Sequence, residues 1–240
     1  MKNKFVSIIK VLTVFSCMLF LSACATTGAL DERDPWEGFN RGVFTFNETM
    51  DGFVFEPVAK VYDFITPDPI DNGISNFFNN IAMLPVIAND ILQFKLTQTV
   101  NDFLRFFLNS TLGLLGFFDI ASDANLHSSG EDFGQTLAHW GVGSGPYLVV
   151  PFFGPATVRD ATGFAIDRGL ISPIAHIDDD LTRAGLLTLN YVDFKSDILS
   201  TVNLIGEASI DKYDFIKNAY FEKRDSQIND EGLPKGLPAE

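Results

Sequence analysis

Phe106-Phe-Leu-Asn-Ser-Thr-Leu-Gly-Leu-Leu-Gly-Phe-Phe118 lies in the most apolar stretch of the chain beyond its N-terminus, residues 98–119. The run carries no charge but is only 13 residues long. Wound as a helix it reaches about 20 Å, short of the roughly 30 Å that a bilayer's hydrocarbon demands. Arg105 and Asp119 close it at either end and Asn109 interrupts it. Such a segment does not cross a membrane. It either fills a protein core or lies flat within one leaflet.

The flanking sequence has helical rather than strand periodicity, and the fold class expected is all-α. Asp34 with Pro35 and Glu37 has the form of a helix start. Pro57 opens a second helix through Ile65, and Pro69 a third. In the third, Ile70, Ile74, Phe77, Phe78 and Ile81 fall on one amphipathic stripe. Pro85 opens a fourth through about Leu96. Residues 120–132 form a polar loop. Gly141 to Pro155 is rich in Gly and Pro and encloses Tyr147-Leu-Val-Val150, where a short extended piece fits. Helical pattern returns over 156–167, 181–191, 193–205 and 209–224.

The N-terminus reads as an export signal. Lys2, Lys4 and Lys10 precede the apolar run Val11 to Leu21, which has the length of a signal-peptide core. Leu21-Ser-Ala-Cys24 follows and resembles a bacterial lipobox, with cleavage before Cys24 and acylation of its thiol. Cys17 would be removed with the signal, leaving Cys24 alone and no disulfide to form. Ala25, where an Asp would favour inner-membrane retention in such lipoproteins, points to the outer membrane. The organisation expected is signal 1–23, tether 24–33, helical domain 34–225 and a mobile tail 226–240.

Of 17 basic residues, three lie in the signal, which holds no acid. The mature chain therefore sets 14 basic against 31 acidic residues, net −17. That surface repels nucleic acid and suits a basic protein partner. Phe outnumbers Tyr and Trp, 24 to 5 and 2. Phe is apolar throughout and serves a core or a lipid contact equally well. Catalytic signatures are missing. Ser144 lacks the glycine elbow of a hydrolase, and His127, His139 and His176 have no metal spacing. Asp178-Asp-Asp180 reads as a turn or cap more readily than a cation site. Gly141-Val-Gly143 lacks the third glycine of a dinucleotide loop. No cofactor or metal is expected.

Several segments resemble the MlaA (VacJ) lipoprotein family. They are Asp34-Pro-Trp-Glu-Gly-Phe-Asn-Arg41 with Phe44-Thr-Phe-Asn47, Asn72-Gly-Ile-Ser-Asn-Phe77, and Arg105-Phe-Phe-Leu-Asn109 with Gly116-Phe-Phe-Asp119. Asp132-Phe-Gly-Gln-Thr-Leu137, Gly141-Val-Gly-Ser-Gly-Pro-Tyr147, Pro151-Phe-Phe-Gly154 and Ala219-Tyr-Phe221 continue the series. The resemblance implies a ring of amphipathic helices embedded in the inner leaflet of the outer membrane, with an amphipathic channel. Phospholipids misplaced in the outer leaflet would pass through it to a soluble periplasmic MlaC-like carrier, beside a trimeric porin, with no enzymatic step. Within that reading Cys24 carries the anchor. Phe103, Phe106, Phe107, Leu112, Leu115, Phe117 and Phe118 face lipid. Gly141, Gly143, Gly145 and Pro146 form a gating loop. Phe39, Asn40, Arg41 and Phe44 shape the channel wall. A porin-associated scaffold and a lipid hydrolase stand as alternatives.

Overall fold

The structure, a computed structural model, describes residues 31–208 and 210–230, of which 198–208 are described as backbone only. The signal, Cys24 and residues 231–240 lie outside it.

The chain is helical. Helices α1 (Glu37–Met50) and α2 (Glu56–Ile65) are joined by a π-type turn, Asp51–Phe55, so helical backbone continues across Pro57. The long α3 (Asp68–Leu92) packs antiparallel against α4 (Leu96–Thr111). Short α5 (Ile120–Asp123) and α6 (Phe133–His139) follow, capped by the carboxylates of Asp119 and Asp132. Strands β1 (Tyr147–Val150) and β2 (Gly154–Thr157) make an antiparallel hairpin pairing Tyr147 with Thr157 and Val150 with Gly154. Helix α7 (Val158–Ile166) is capped by Thr157 and packs on α6. The long α8 (Asp180–Ala208) lies along α2 and α3, and α9 (Lys212–Ile228), capped by Asp211, closes the fold.

A small aromatic core joins the two ends of the sequence. Tyr147, Val149, Tyr213 and Phe221 are buried together, with Val43, Phe44 and Tyr220 packed against them. Phe44 and Tyr147 both meet the Tyr213 ring edge-on, the geometry aromatic pairs prefer.

Four expectations are corrected. Pro85 lies inside α3 and does not open a helix. Phe78, Asn80 and Met83 before it and Asn89 and Asp90 after it are all buried, and that packing outweighs the roughly 3 kcal/mol cost of an interior proline. Asp34 does not cap α1. It is buried and accepts from Asn40 Nδ2 at 2.8 Å and from the Tyr213 hydroxyl at 2.5 Å. The run 106–118 is not one helix. It stops at Thr111 and turns through Leu114, Leu115 and Gly116, all with positive φ (51°, 60° and 95°). Finally, α9 continues past residue 226 to Ile228, and Asp230 beyond it holds Lys95 at 2.7 Å.

Polarity in this fold is reversed. Among the described residues, nine buried side chains are apolar or aromatic and eighteen are polar or charged, while 32 large apolar residues are exposed. Helix α4 shows how sequence spacing produces this. Leu96, Val100, Phe103, Leu104 and Phe107, at the i, i+4, i+7, i+8 and i+11 spacing of one helical face, point outward. Gln98, Asp102 and Asn109, two residues out of phase, point in. Most of the inward groups are bonded, as burial requires, although the Gln98 Oε1 has no partner among the described residues. Asn109 donates to Asp119 Oδ1 at 2.9 Å and accepts the Ala121 amide, and Arg105 pairs with Asp119 at 2.7 Å. Asn89 donates to Asp167 and accepts from Thr136 Oγ1 at 2.8 Å, and Gln93 donates to Glu131.

Candidate functional site

Beneath the β hairpin, α7, α8 and α9 enclose a cleft of about 340 Å³, within the usual range for small-ligand sites. One wall is aromatic: Phe152 and Phe153 from the hairpin turn, Phe164 from α7, and Tyr191 and Phe194 from α8. Phe153 sits 4.8 Å from Phe164 and 6.3 Å from Tyr191 between ring centroids. The rest of the lining is largely charged, with Asp132, Asp160, Asp167, Arg168, Lys223 and Arg224.

Most of that charge is internally matched. Arg224 holds both oxygens of Asp132, at 2.5 and 2.7 Å, and Asp160 at 2.8 Å. Asp160 also receives Arg159 and the Tyr220 hydroxyl. Burial alone would raise its pKa, but these donors bring it down to about 2. Asp167 is pushed upward by burial, with its oxygens turned to Asn89 and to the Phe133 amide at 2.9 and 2.8 Å. Arg168 stands apart. Its guanidinium lies over the Phe164 and Phe153 rings, 4.7 and 5.7 Å from their centroids.

A close backbone approach positions this wall. A Cβ on Gly163 of α7 would lie 2.3 Å from the Gly134 amide nitrogen of α6. One on Gly134 would meet Arg224 Nη2 at 2.4 Å. Two glycines at the crossing thus let α6 and α7 touch and seat the Arg224 fork above them.

A second polar centre lies between α3 and α4. Ser129 Oγ sits 2.5 Å from Asp102 Oδ2 and 3.1 Å from Asp90 Oδ1. A hydroxyl has one proton. Spent on Asp102, it leaves Ser129 accepting from Asp90, which must then carry a proton itself. Burial and the neighbouring Asp102 carboxylate push Asp90 up to about 8 accordingly.

The residues singled out in the sequence fall in three other places. Phe103, Phe107, Leu112, Leu115 and Phe118 are exposed on α4 and its following turn, with Phe106 and Phe117 half-buried. The Phe117 ring covers Gly73, where a Cβ would approach to 2.1 Å. Gly141, Gly143 and Gly145 are exposed on the approach to β1, with Pro146 half-buried. The Ser144 and Pro146 carbonyls accept the Arg159 and Val158 amides. Asn40 is fully buried, donating to Asp34 and the Tyr147 carbonyl and accepting the Val149 amide. Arg41 pairs with Glu37, Asp211 and Asp214, and Phe39 is exposed. None of these residues lines the cleft. Sequence reasoning missed its aromatic wall and Arg168. The signal within reach was Pro151-Phe-Phe-Gly154, two aromatics at a turn.

Among the described residues no helix is long and apolar enough to cross a membrane. Helices that turn polar groups inward and apolar ones outward, around an aromatic cleft, define a membrane-surface protein suited to amphipathic ligands. The model of the MlaA lipoprotein family matches residues 32–227. The MlaA lipoprotein of the intermembrane phospholipid transport system of Escherichia coli is 36% identical over 215 residues, covering 87% of this chain and 84% of its own. Its Haemophilus influenzae counterpart is 29% identical over 92% of this chain and 90% of its own. A solved structure bearing on the "maintenance of bacterial outer membrane lipid asymmetry" superposes with a TM-score of 0.71 at 34% identity, over 82% of this chain and 99% of that one. The chain belongs to the MlaA family of phospholipid-transport lipoproteins.

Proposed function

We propose that this chain seats itself in the periplasmic-side leaflet of the outer membrane, anchored through an acylated Cys24, and draws misplaced phospholipids from the outer leaflet. It passes them along an amphipathic route to a soluble periplasmic carrier of the MlaC kind, while docked beside a trimeric porin. No covalent chemistry is needed. A lipid transferred intact demands only an apolar surface for its tails and a polar one for its head, and direction follows from carrier affinity by mass action.

The observation that carries this reading is the reversed polarity of α4 and its following turn. Phe103, Phe107, Leu112, Leu115 and Phe118 lie outward over a hydrogen-bonded polar interior. In water that arrangement leaves a large unpartnered apolar surface; in a leaflet it is satisfied. Phe106 and Phe117 complete the lipid-facing band from beneath. The segment of Gly141, Gly143, Gly145 and Pro146 serves as the gate. Phe39, Arg41 and Phe44 border the passage, with Asn40 fixing their helix to β1.

Flotation tests this. The mature chain carrying Cys24→Ser, without acyl group, should rise with phosphatidylethanolamine vesicles in a density gradient. A chain that stays monomeric in the aqueous fraction would overturn the proposal. A strain lacking the gene should accumulate phospholipid on its surface. A porin-associated scaffold predicts no such accumulation, and a hydrolase predicts released fatty acid.

A further inference from the structure

Six of the seven arginines in this chain, all but Arg168, hold a carboxylate within ion-pair distance. Arg168 has neither a carboxylate nor a hydrogen-bond acceptor among the described residues, in a protein of net charge −14. Its neighbour Asp167 is no substitute, both oxygens being spent on Asn89 and the Phe133 amide. Arg224, the other arginine of the cleft, is consumed by Asp132 and Asp160. The Arg168 guanidinium instead lies over the Phe164 and Phe153 rings, 4.7 and 5.7 Å from their centroids. A cation–π contact of this kind spends no N–H donor on a carboxylate or carbonyl and so leaves the fork for another acceptor.

We infer that Arg168 receives the phosphodiester of a glycerophospholipid headgroup in the cleft, the fork of N–H donors meeting two phosphate oxygens while the first acyl methylenes rest on Phe152, Phe153 and Phe194. The inference rests on reading the chain as a phospholipid passage, and it deepens that reading by naming the anchor. A free guanidinium in an aromatic cleft fits an amphipathic anion. A bidentate phosphate contact is stronger there than in bulk water. A lysine would offer a point charge without the fork.

The test uses the full mature chain in detergent micelles with three probes: phosphatidylethanolamine, diacylglycerol of the same acyl chains, and inorganic phosphate. Wild type should bind phosphatidylethanolamine more tightly than diacylglycerol. Arg168→Gln should lose about tenfold for phosphatidylethanolamine and nothing for diacylglycerol, and Arg168→Lys should recover part of the loss. Equal affinity of wild type and Arg168→Gln for phosphatidylethanolamine overturns the inference and leaves the transport reading standing. Equal loss for both lipids also overturns it, as a structural effect. Inorganic phosphate displacing the lipid at equal concentration would make this a free-anion site and overturn the lipid assignment. Wild type that binds neither lipid sinks the transport reading instead. Should Arg168→Gln fail to fold, phenylglyoxal labelling of Arg168 in wild type reads the same contact. Phosphatidylethanolamine should protect it and diacylglycerol should not; protection by neither lipid overturns the inference.

Discussion

Leu114 and Leu115 hold left-handed backbone, φ 51° and 60°, as do Phe94 at 61° and Phe152 at 67°. All four are large, apolar and exposed. A left-handed turn ordinarily takes Gly or Asn, because a Cβ there costs about 1–2 kcal/mol. Phe152 packs there on Phe46 and Phe55, whereas Phe94, Leu114 and Leu115, the three most exposed of the four, are placed to meet an apolar phase outside the fold. Leu115→Asn should therefore leave the unfolding free energy in detergent unchanged or higher, yet weaken vesicle partition about tenfold, reflecting about 1.5 kcal/mol or more of lost apolar burial. Denaturant titration and flotation read the two effects separately. Asp90 supplies a second prediction. Burial and the neighbouring Asp102 carboxylate push its carboxyl up to about 8 in the fold, above the ordinary carboxylate value of 3.8 that holds in the unfolded chain. Between those values the folded state holds the extra proton. The stability from this group is therefore present at low pH and is lost as pH rises through the folded value. Asp90→Asn should flatten that slope relative to wild type when unfolding is measured from pH 5 to 8. None of this was legible beforehand, since spacing gives no sign of which carboxylates meet or how one serine proton is shared.

At the scale of elements the sequence was informative wherever period alone decides. The stripe on α3 marks it as amphipathic, and Tyr147-Leu-Val-Val150 proves to be a strand. What period does not contain is the direction of the stripe. Apolar residues at i, i+3 and i+4 read the same facing a core or facing lipid, so α4 needed the placement of Gln98, Asp102 and Asn109 to be read. β2 escaped because Gly-Pro-Ala-Thr has almost no strand propensity and is held in register by the hairpin. Pro85 misled because a local breaker yields to burial on both sides. The α6–α7 crossing offers a sharp test. Gly163→Ala pushes a methyl into the Gly134 backbone, which no rotamer change relieves. We expect a loss of about 1–3 kcal/mol in unfolding free energy, with weakened lipid binding as the Arg224 fork shifts. Val158→Ala, on the same helix but exposed, should change neither.

The whole molecule is held by a strap between its two ends. Asp34, just ahead of α1, is buried against Asn40, Tyr213 and Lys217, the last two on α9. Tyr213→Phe removes one donor from a buried carboxylate and should cost about 1.5–3 kcal/mol, lowering the melting temperature of the entire domain in a single transition. Loss of α9 order alone, with the rest melting as before, would show that the strap is local. The acidic surface, net −14 over the full chain, also sets a salt prediction. Association with a basic carrier should weaken as ionic strength rises, as measured by titration between low and physiological salt.

That strap also dictates a schedule. A chain emerging N-terminus first presents Asp34 long before α9 exists. Until the final helix arrives, the carboxylate has nowhere dry to go, and the aromatic knot around Tyr147 cannot tighten. The polypeptide is therefore expected to stay open and threadable until Tyr213 and Lys217 have arrived, and to lock only once residues 212–228 can coil.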